Sequence, residues 1–336
     1  MAENSNIQWT DHTFNPWRGC TEVSPGCANC YARQQAKRNP RVLGEWGRDG
    51  TRVAAAESQW QTVRRWNADA DPANRPRVFT ASFADVLEWR DTMPRDYWDV
   101  VDDARVKLFN LVAECPNLDF LFLTKRIDHW ETVLNHTAAK AGVRIDTPAR
   151  RLIDRWLRNH PPRNVWLGAT VENNEVARER VYKLGSIPSQ VHFLSCEPLL
   201  SALDLTRIPH DAHHGYRYDA LRGQLHGVIT RDILAAPKVQ WVIVGGESGA
   251  FDKVRPFHVE WARSLVKQCT AAGVPVFVKQ MGSVVHAPEG CFADPRHSRP
   301  WGDAGRVELK LVDNHGGNPD EWPEDIRIRQ FPTVAA

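Results

Sequence analysis

Three cysteines, Cys20, Cys27 and Cys30, stand close together in the segment NPWRGCTEVSPGCANCYA that begins at Asn15. Thiolates are soft ligands for zinc and iron–sulfur centres. Pro25 and Gly26 favour a turn that folds such a loop back on itself. Three sulfurs on one loop could therefore grip one corner of an inorganic centre. A zinc ion would need a fourth ligand or an open position, and no second CxxC or nearby His pair supplies one. A [4Fe-4S] cluster held by three cysteines would leave one iron free for a substrate or cofactor. Both readings remain open on the residues alone.

The other four cysteines, Cys115, Cys196, Cys269 and Cys291, are scattered. An odd total of seven does not read as a disulfide framework. The N-terminus lacks a basic stretch followed by an apolar one, so no export signal is expected. No apolar run approaches the roughly 18 residues of a membrane span. The expectation is a soluble, cytoplasmic protein with no membrane partner. The 336 residues carry 43 basic and 41 acidic side chains, a formal charge of +2. That balance gives no case for strong non-specific nucleic-acid binding, although a local basic groove is compatible with it.

The elements that must position the cysteines alternate. Short apolar runs at Ile7–Thr10, Val78–Ala81, Phe120–Thr124, Val165–Ala169, Val191–Leu194, Trp241–Val244 and Val276–Val278 suit strands buried on both faces. Apolar residues at helical spacing over Tyr97–Ala113 and Trp261–Ala272 predict helices between them. Gly273 and Pro275 should stop the second. The alternation predicts a parallel α/β architecture. We expect a partial or nearly closed (β/α) barrel over residues 1–285, because the informative residues follow many different strands and barrel strand ends converge at one mouth. Two insertions are expected. His136–Pro162 carries an arginine-rich helix over Ala149–Arg158. Leu205–Lys238 shows little periodicity, and its histidine string His210, His213 and His214, without good metal spacing to the cysteines, reads as a solvated loop. Residues 286–336 read as a C-terminal extension wrapping the surface.

Cysteines so placed after a first strand resemble the radical S-adenosylmethionine (SAM) superfamily. More closely, NPWRGCTEVSPGCANCYA is similar to a phage-associated three-Cys-motif family regarded as radical-SAM enzymes. The similarity continues in FTASFADVLE, FLTKR, GATVENNE, LSCEPLL, WVIVGGESG and VFVKQMG. TASFADV and LTKR also resemble the spore photoproduct lyase branch. The spacing departs from the common CxxxCxxC, and Asn29 stands where an aromatic usually precedes the last cysteine.

The resemblance implies that Cys20, Cys27 and Cys30 hold a [4Fe-4S] cluster. It implies that SAM, bound beside the cluster, is cleaved reductively to a 5′-deoxyadenosyl radical, with the electron supplied from outside by a protein such as flavodoxin or ferredoxin. A nucleic acid or nucleotide is the implied substrate class. Strand-end residues would then contact SAM. Ser82 or Asp85 would bind its ammonium, Lys125 and Arg126 its carboxylate, and Thr170, Glu172 and Asn173 its ribose. Glu197 and the run Gly245, Gly246, Glu247 and Ser248 would complete the pocket. Lys279 and Gln280 could reach a substrate. Cys196 could donate a hydrogen atom or simply pack.

Each of these residues also has an ordinary role. Ser82, Asp85 and Asn173 are good helix caps, glycines serve tight turns, and mouth carboxylates form ion pairs with arginines. Two other functions compete with catalysis by a SAM radical. One is a non-catalytic binding module stabilised by zinc or a cluster. The other is a nucleotide-binding barrel in which GGESG holds phosphate.

Overall fold

A computed structural model describes residues 1–142, 146–210, 215–292, 295–302 and 305–334. Seven strands form one sheet whose order follows the sequence. They are β1 (His12–Phe14), β2 (Arg77–Thr80), β3 (Asp119–Thr124), β4 (Val165–Thr170), β5 (His192–Cys196), β6 (Trp241–Gly245) and β7 (Val276–Gln280). The expected parallel α/β class is therefore observed. The order is open, with β1 and β7 as its edges. Each edge is covered by a single bridge to a chain end, Ala2 on Thr13 and Arg329 on Phe277, which blunts its exposed hydrogen-bonding groups.

The chain divides into two compact units. The first comprises Met1–Gly168, Ile187–Val191 and Val334–Ala336. Within it, β1 pairs parallel with β2, and β2 with β3. Helices α1 (Tyr31–Arg38), α2 (Glu57–Asp69), α3 (Trp98–Glu114), α4 (Trp130–Ala141) and α5 (Pro148–Leu157) belong to it. In β2 and β3 every residue is buried except Arg77 and Leu123, which are half-buried. The predicted arginine-rich helix is α5. It buries Ile153 and Trp156, and Trp156 meets Trp130 edge-on at 4.5 Å.

The first strand is shifted from its expected place. Ile7–Thr10 forms a turn closed by Thr10 N–H donating to Ile7 C=O, and the strand is His12–Phe14. Thr10 explains the shift. Its hydroxyl donates to the Arg77 carbonyl at 2.8 Å and accepts from Phe79 N–H at 3.0 Å, so a side chain takes the place of a backbone rung.

The second unit comprises Ala169–Ser186 and His192–Thr333. Here β5 pairs parallel with β6, and β6 with β7. Helices α6 (Asn174–Ser186) and α7 (Val259–Ala272) belong to it. Gly273 ends α7 as predicted, in the left-handed conformation at φ +64°.

The Leu205–Lys238 insertion is not a plain loop. It forms a four-stranded antiparallel sheet from Ile208–Pro209, Tyr216–Asp219, Gln224–Gly227 and Ile233–Ala235. His210 is buried and meets Tyr182 edge-on at 4.1 Å, contrary to a solvated histidine string. His213 and His214 lie outside the described residues. After residue 286 the chain supplies strands His297–Pro300 and Arg306–Lys310, which pair in a second small sheet with Val285–Pro288 and Phe257–His258. Among the described residues no helix is long and apolar enough to cross a membrane.

Candidate functional site

In the first unit, the cysteine segment runs from the end of β1 to the start of α1. Asn15 ties its entrance to the end of β2, accepting from Phe83 N–H at 2.6 Å and donating to the Ser82 hydroxyl at 3.0 Å. Trp17–Arg18 pairs antiparallel with Val53–Ala54. Gly19 then turns the chain at φ +110°, where a Cβ would lie 2.2 Å from the Thr51 carbonyl oxygen. Only glycine suits that close approach. Pro25–Cys27 forms a single 3₁₀ turn, as the Pro-Gly pair predicts. Cys30 N–H donates to Cys27 C=O at 3.2 Å, and α1 begins immediately afterwards. Tyr31 donates its hydroxyl to the Ser82 carbonyl at 2.8 Å, so Ser82 anchors both ends of the segment.

Cys20 and Thr21 are held by two buried arginines. Arg126, just past β3, places Nη1 3.5 Å from Cys20 Sγ and donates from Nη2 to the Thr21 carbonyl at 2.6 Å. Arg52 Nη2 donates to the Thr21 hydroxyl at 2.9 Å. Each arginine has a carboxylate. Arg126 Nη1 lies 3.0 Å from Asp85. Arg52 grips fully buried Glu88 with two parallel bonds of 2.9 and 2.7 Å, the strong bidentate geometry. Glu88 also lies 3.9 Å from Arg126, which links the pairs.

Asp85 accepts from Thr124 Oγ1 at 2.7 Å, Lys125 N–H at 2.9 Å and Leu87 N–H at 3.0 Å, besides Arg126. Burial works to raise its carboxyl, but Arg126 and these donors outweigh it and hold the group below the usual carboxylate range. Burial likewise pushes the Cys20 thiol up to about 12, with Arg126 pulling the other way. Among the described residues, buried Arg126 Nε has no hydrogen-bond partner.

Among the described residues, no three His, Cys, Asp or Glu side chains form a group that could hold one metal ion. One zinc with sulfurs at about 2.3 Å would bring those sulfurs within roughly 4 Å of one another. A four-iron cluster instead binds each thiolate to a separate iron. Three cysteines on one segment, with a guanidinium donating toward one sulfur, are a donor set that fits the cluster.

The second unit holds the remaining candidates. Thr170 ends β4, and its carbonyl accepts from Arg180 Nη1 at 2.8 Å. The same nitrogen lies 3.3 Å from the fully buried carboxylate of Glu172. Asn173 accepts from Val176 N–H at 2.9 Å and caps α6. At the end of β5, Cys196 is fully buried, and burial raises its thiol well above the ordinary value. Glu197 follows, with Oε1 3.1 Å from Lys279 Nζ and Oε2 accepting from the Ser195 hydroxyl at 3.4 Å.

The glycine pair at the end of β6 is explained by packing. A Cβ on Gly245 would lie 2.6 Å from Glu197 Oε1, and one on Gly246 would lie 2.3 Å from the Met281 carbonyl oxygen. Glu247 accepts from Arg255 N–H at 2.9 Å and from Arg255 Nε at 3.0 Å. Gln280 Nε2 donates to the Ser248 hydroxyl at 2.7 Å and to the Gly246 carbonyl at 2.9 Å.

The structure thus brings Cys20, Asp85 and Arg126 together in one unit, and Glu197, Gly245 and Lys279 in the other. Glu172 and Glu247 have arginine partners, the ordinary role allowed for them. Sequence reasoning missed Arg52, Glu88, Arg180 and Arg255. Glu88 could have been found, as a second acid three residues after Asp85. Arg52, in a turn-rich stretch before α2, carried no signal.

No curated protein matches the sequence. Among solved structures, the chain is similar in fold to several of spore photoproduct lyase. A cysteine-to-serine variant gives a TM-score of 0.40 at 10% identity, covering 92% of this chain and 71% of that one. A complex with a dinucleoside spore photoproduct gives 0.39 at 9% identity, covering 92% and 71%. A double variant with AdoMet and that dinucleoside bound gives 0.38 at 9%, covering 90% and 69%. At this level the likeness says nothing of activity or ligand. The family described as "Protein of unknown function (DUF5131)" matches residues 4–310, more than half of the chain, and the chain belongs to that family.

Proposed function

We propose that the protein is a radical-SAM enzyme acting on a nucleic acid or nucleotide. Cys20, Cys27 and Cys30 would hold a [4Fe-4S] cluster, and SAM would bind beside it. The observation that carries this reading is the anchored cysteine segment, with Arg126 donating toward Cys20. Such a cluster would supply the electron for reductive cleavage of the SAM C5′–S bond, giving methionine and a 5′-deoxyadenosyl radical. The chain's own residues position it. Arg126 and Arg52 fix Cys20 and Thr21, while Asp85 and Glu88 balance their charge. Asp85 and Arg126 serve this framework; Lys125, and Ser82 in addition to its anchoring role, are proposed as SAM contacts in the first unit. In the second unit Glu197 and Lys279 form a polar pair of their own. Cys196, sealed from solvent, serves as packing in this reading. The electron would come from an external donor such as flavodoxin or ferredoxin. The setting proposed for such a cluster is reducing and cytoplasmic, where cysteines stay as thiols.

Anaerobic reconstitution followed by iron and sulfide analysis tests the reading. One oxygen-sensitive [4Fe-4S] cluster per chain is expected, and its visible absorbance should vanish when any of the three cysteines becomes Ala. SAM should perturb the electron paramagnetic resonance signal of the reduced protein, and dithionite should then yield 5′-deoxyadenosine. Stoichiometric zinc without sulfide, or a signal that SAM leaves unchanged, would overturn it.

A further inference from the structure

Far along the first unit from the cysteine segment lies a surface cavity of about 640 Å³. It is built from the C-terminal end of α3, one face of α5 and the segment leading into β4. These features sit where β3 and β4 begin, whereas Arg126 follows the end of β3. The six residues of β3 separate the two places, a span of about 17 Å at the usual strand rise. The cavity is therefore separate from the cysteine segment.

Its lining is cationic. Arg151, Arg155, His160 and Arg163 border it, against one acid, Glu114. That acid is engaged by Arg64 at 2.8 Å. Arg151 has an exposed partner in Asp146 at 2.7 Å. Arg155 and Arg163 have no acidic partner among the described residues. The rest of the wall is largely apolar, with Leu152 and four prolines. Buried Asn164 braces it, donating to the carbonyls of Val112 and Cys115 at 3.0 Å each. The volume lies within the range of small-molecule sites.

We infer that this cavity binds the phosphate of a nucleoside phosphate. Guanidinium forks suit phosphate oxygens, and guanidinium planes also stack on flat rings. Proline and leucine walls offer the apolar surface that a base or sugar needs and a bare inorganic anion does not. Two exposed arginines with no acidic partner among the described residues leave positive charge at the wall for a doubly charged group to neutralise. The phosphate could belong to a free nucleotide or to a strand. The inference does not rest on the proposed radical chemistry and would hold without it.

Fluorescence anisotropy with a labelled twelve-nucleotide single-stranded DNA tests the inference, with unlabelled AMP as competitor. The wild-type protein should bind the oligonucleotide less tightly as salt rises. The R155A/R163A double variant should bind at least tenfold more weakly, with a salt slope smaller by about 1.4, the value for two lost phosphate contacts on a single strand. Displacement by AMP would identify a single nucleotide as the sufficient ligand, and binding that AMP does not displace would identify a strand. Circular dichroism should be unchanged, because both arginines are exposed. The inference is overturned if the wild type binds neither the oligonucleotide in this assay nor AMP in a direct calorimetric titration, or if the double variant binds like wild type. An equal loss in the control pair R207A/R217A, two exposed arginines of the second unit, would also overturn it.

Discussion

Arg126 reaches both atoms that fix the first cysteine, with Nη1 3.5 Å from Cys20 Sγ and Nη2 2.6 Å from the Thr21 carbonyl oxygen. An N–H donor and a positive charge beside a ligating sulfur favour the more negative, reduced state of a cluster. On the proposed reading, Arg126→Met should make the reconstituted cluster harder to reduce. A shift of about 59 mV or more to lower potential is expected, a tenfold change for a one-electron couple. Arg126→Lys keeps the charge and should shift it less. A spectroscopic redox titration measures both, and equal potentials in all three proteins would refute the tuning role.

The Arg52–Glu88 pair makes a prediction independent of any cofactor. Both side chains are fully buried and joined by two parallel bonds. Removing one partner leaves an uncompensated buried charge, at a cost of about 3–5 kcal/mol. Arg52→Met and Glu88→Leu should each destabilise by that order in urea denaturation. The double variant should be more stable than the sum of the two losses implies, because neither charge is then stranded. Strict additivity would show that the two groups do not depend on each other.

What was legible in the sequence follows from burial. Strands β2 and β3 are buried along nearly their whole length, so the apolar runs Val78–Ala81 and Phe120–Thr124 overlap them. The terminator of α7 was legible for a comparable reason, since Gly273 occupies a backbone region that favours glycine. Strand β1 was displaced because Thr10 substitutes a hydroxyl for a backbone rung, and hydrophobicity does not record that exchange. The antiparallel sheet in Leu205–Lys238 was hidden for a different reason. Its outer strand, Ile233–Ala235, is exposed throughout, so no inward–outward alternation marks it. At the site, the cysteines were visible from chemistry alone. The clamp was not, because Arg52 meets Glu88 across 36 residues and no local pattern links them.

Gly245 is expected in the SAM pocket, and the group that approaches it most closely is the Glu197 side chain. A Cβ there would stand 2.6 Å from Glu197 Oε1, the oxygen that faces Lys279. Gly245→Ala should therefore displace the carboxylate and cost about 1–3 kcal/mol, the usual range for overpacking. Glu197→Ala removes the obstructing oxygen. The Gly245→Ala/Glu197→Ala variant should then lose much less relative to Glu197→Ala than Gly245→Ala loses relative to wild type. Chemical denaturation of the four proteins gives the coupling directly, and a zero coupling would mean that another contact limits the site.

Asp102 supplies a pH dependence with a definite sign. It is almost fully buried on α3, 2.9 Å from Arg105 Nη1, 2.6 Å from Arg90 Nη2 and 2.9 Å from His136 Nε2. Burial works to raise its carboxyl, but the hydrogen bond from Arg90, the charge of Arg105 and the contact with His136 prevail, and its folded value falls below the ordinary 3.8. A carboxyl lowered on folding stabilises the protein fully above its unfolded value, and that contribution fades as pH falls through the folded value. Asp102 should therefore contribute steadily at neutral pH and lose its contribution progressively below about pH 4. Asp102→Asn should be less stable than wild type at pH 7, because buried Arg105 loses its counter-charge. The gap should narrow as pH drops, since protonation makes the wild-type side chain neutral too. Urea midpoints of the two proteins between pH 7 and pH 3 measure that gap, and a gap that stays constant or widens on acidification would show that Asp102 is not held ionised by these partners.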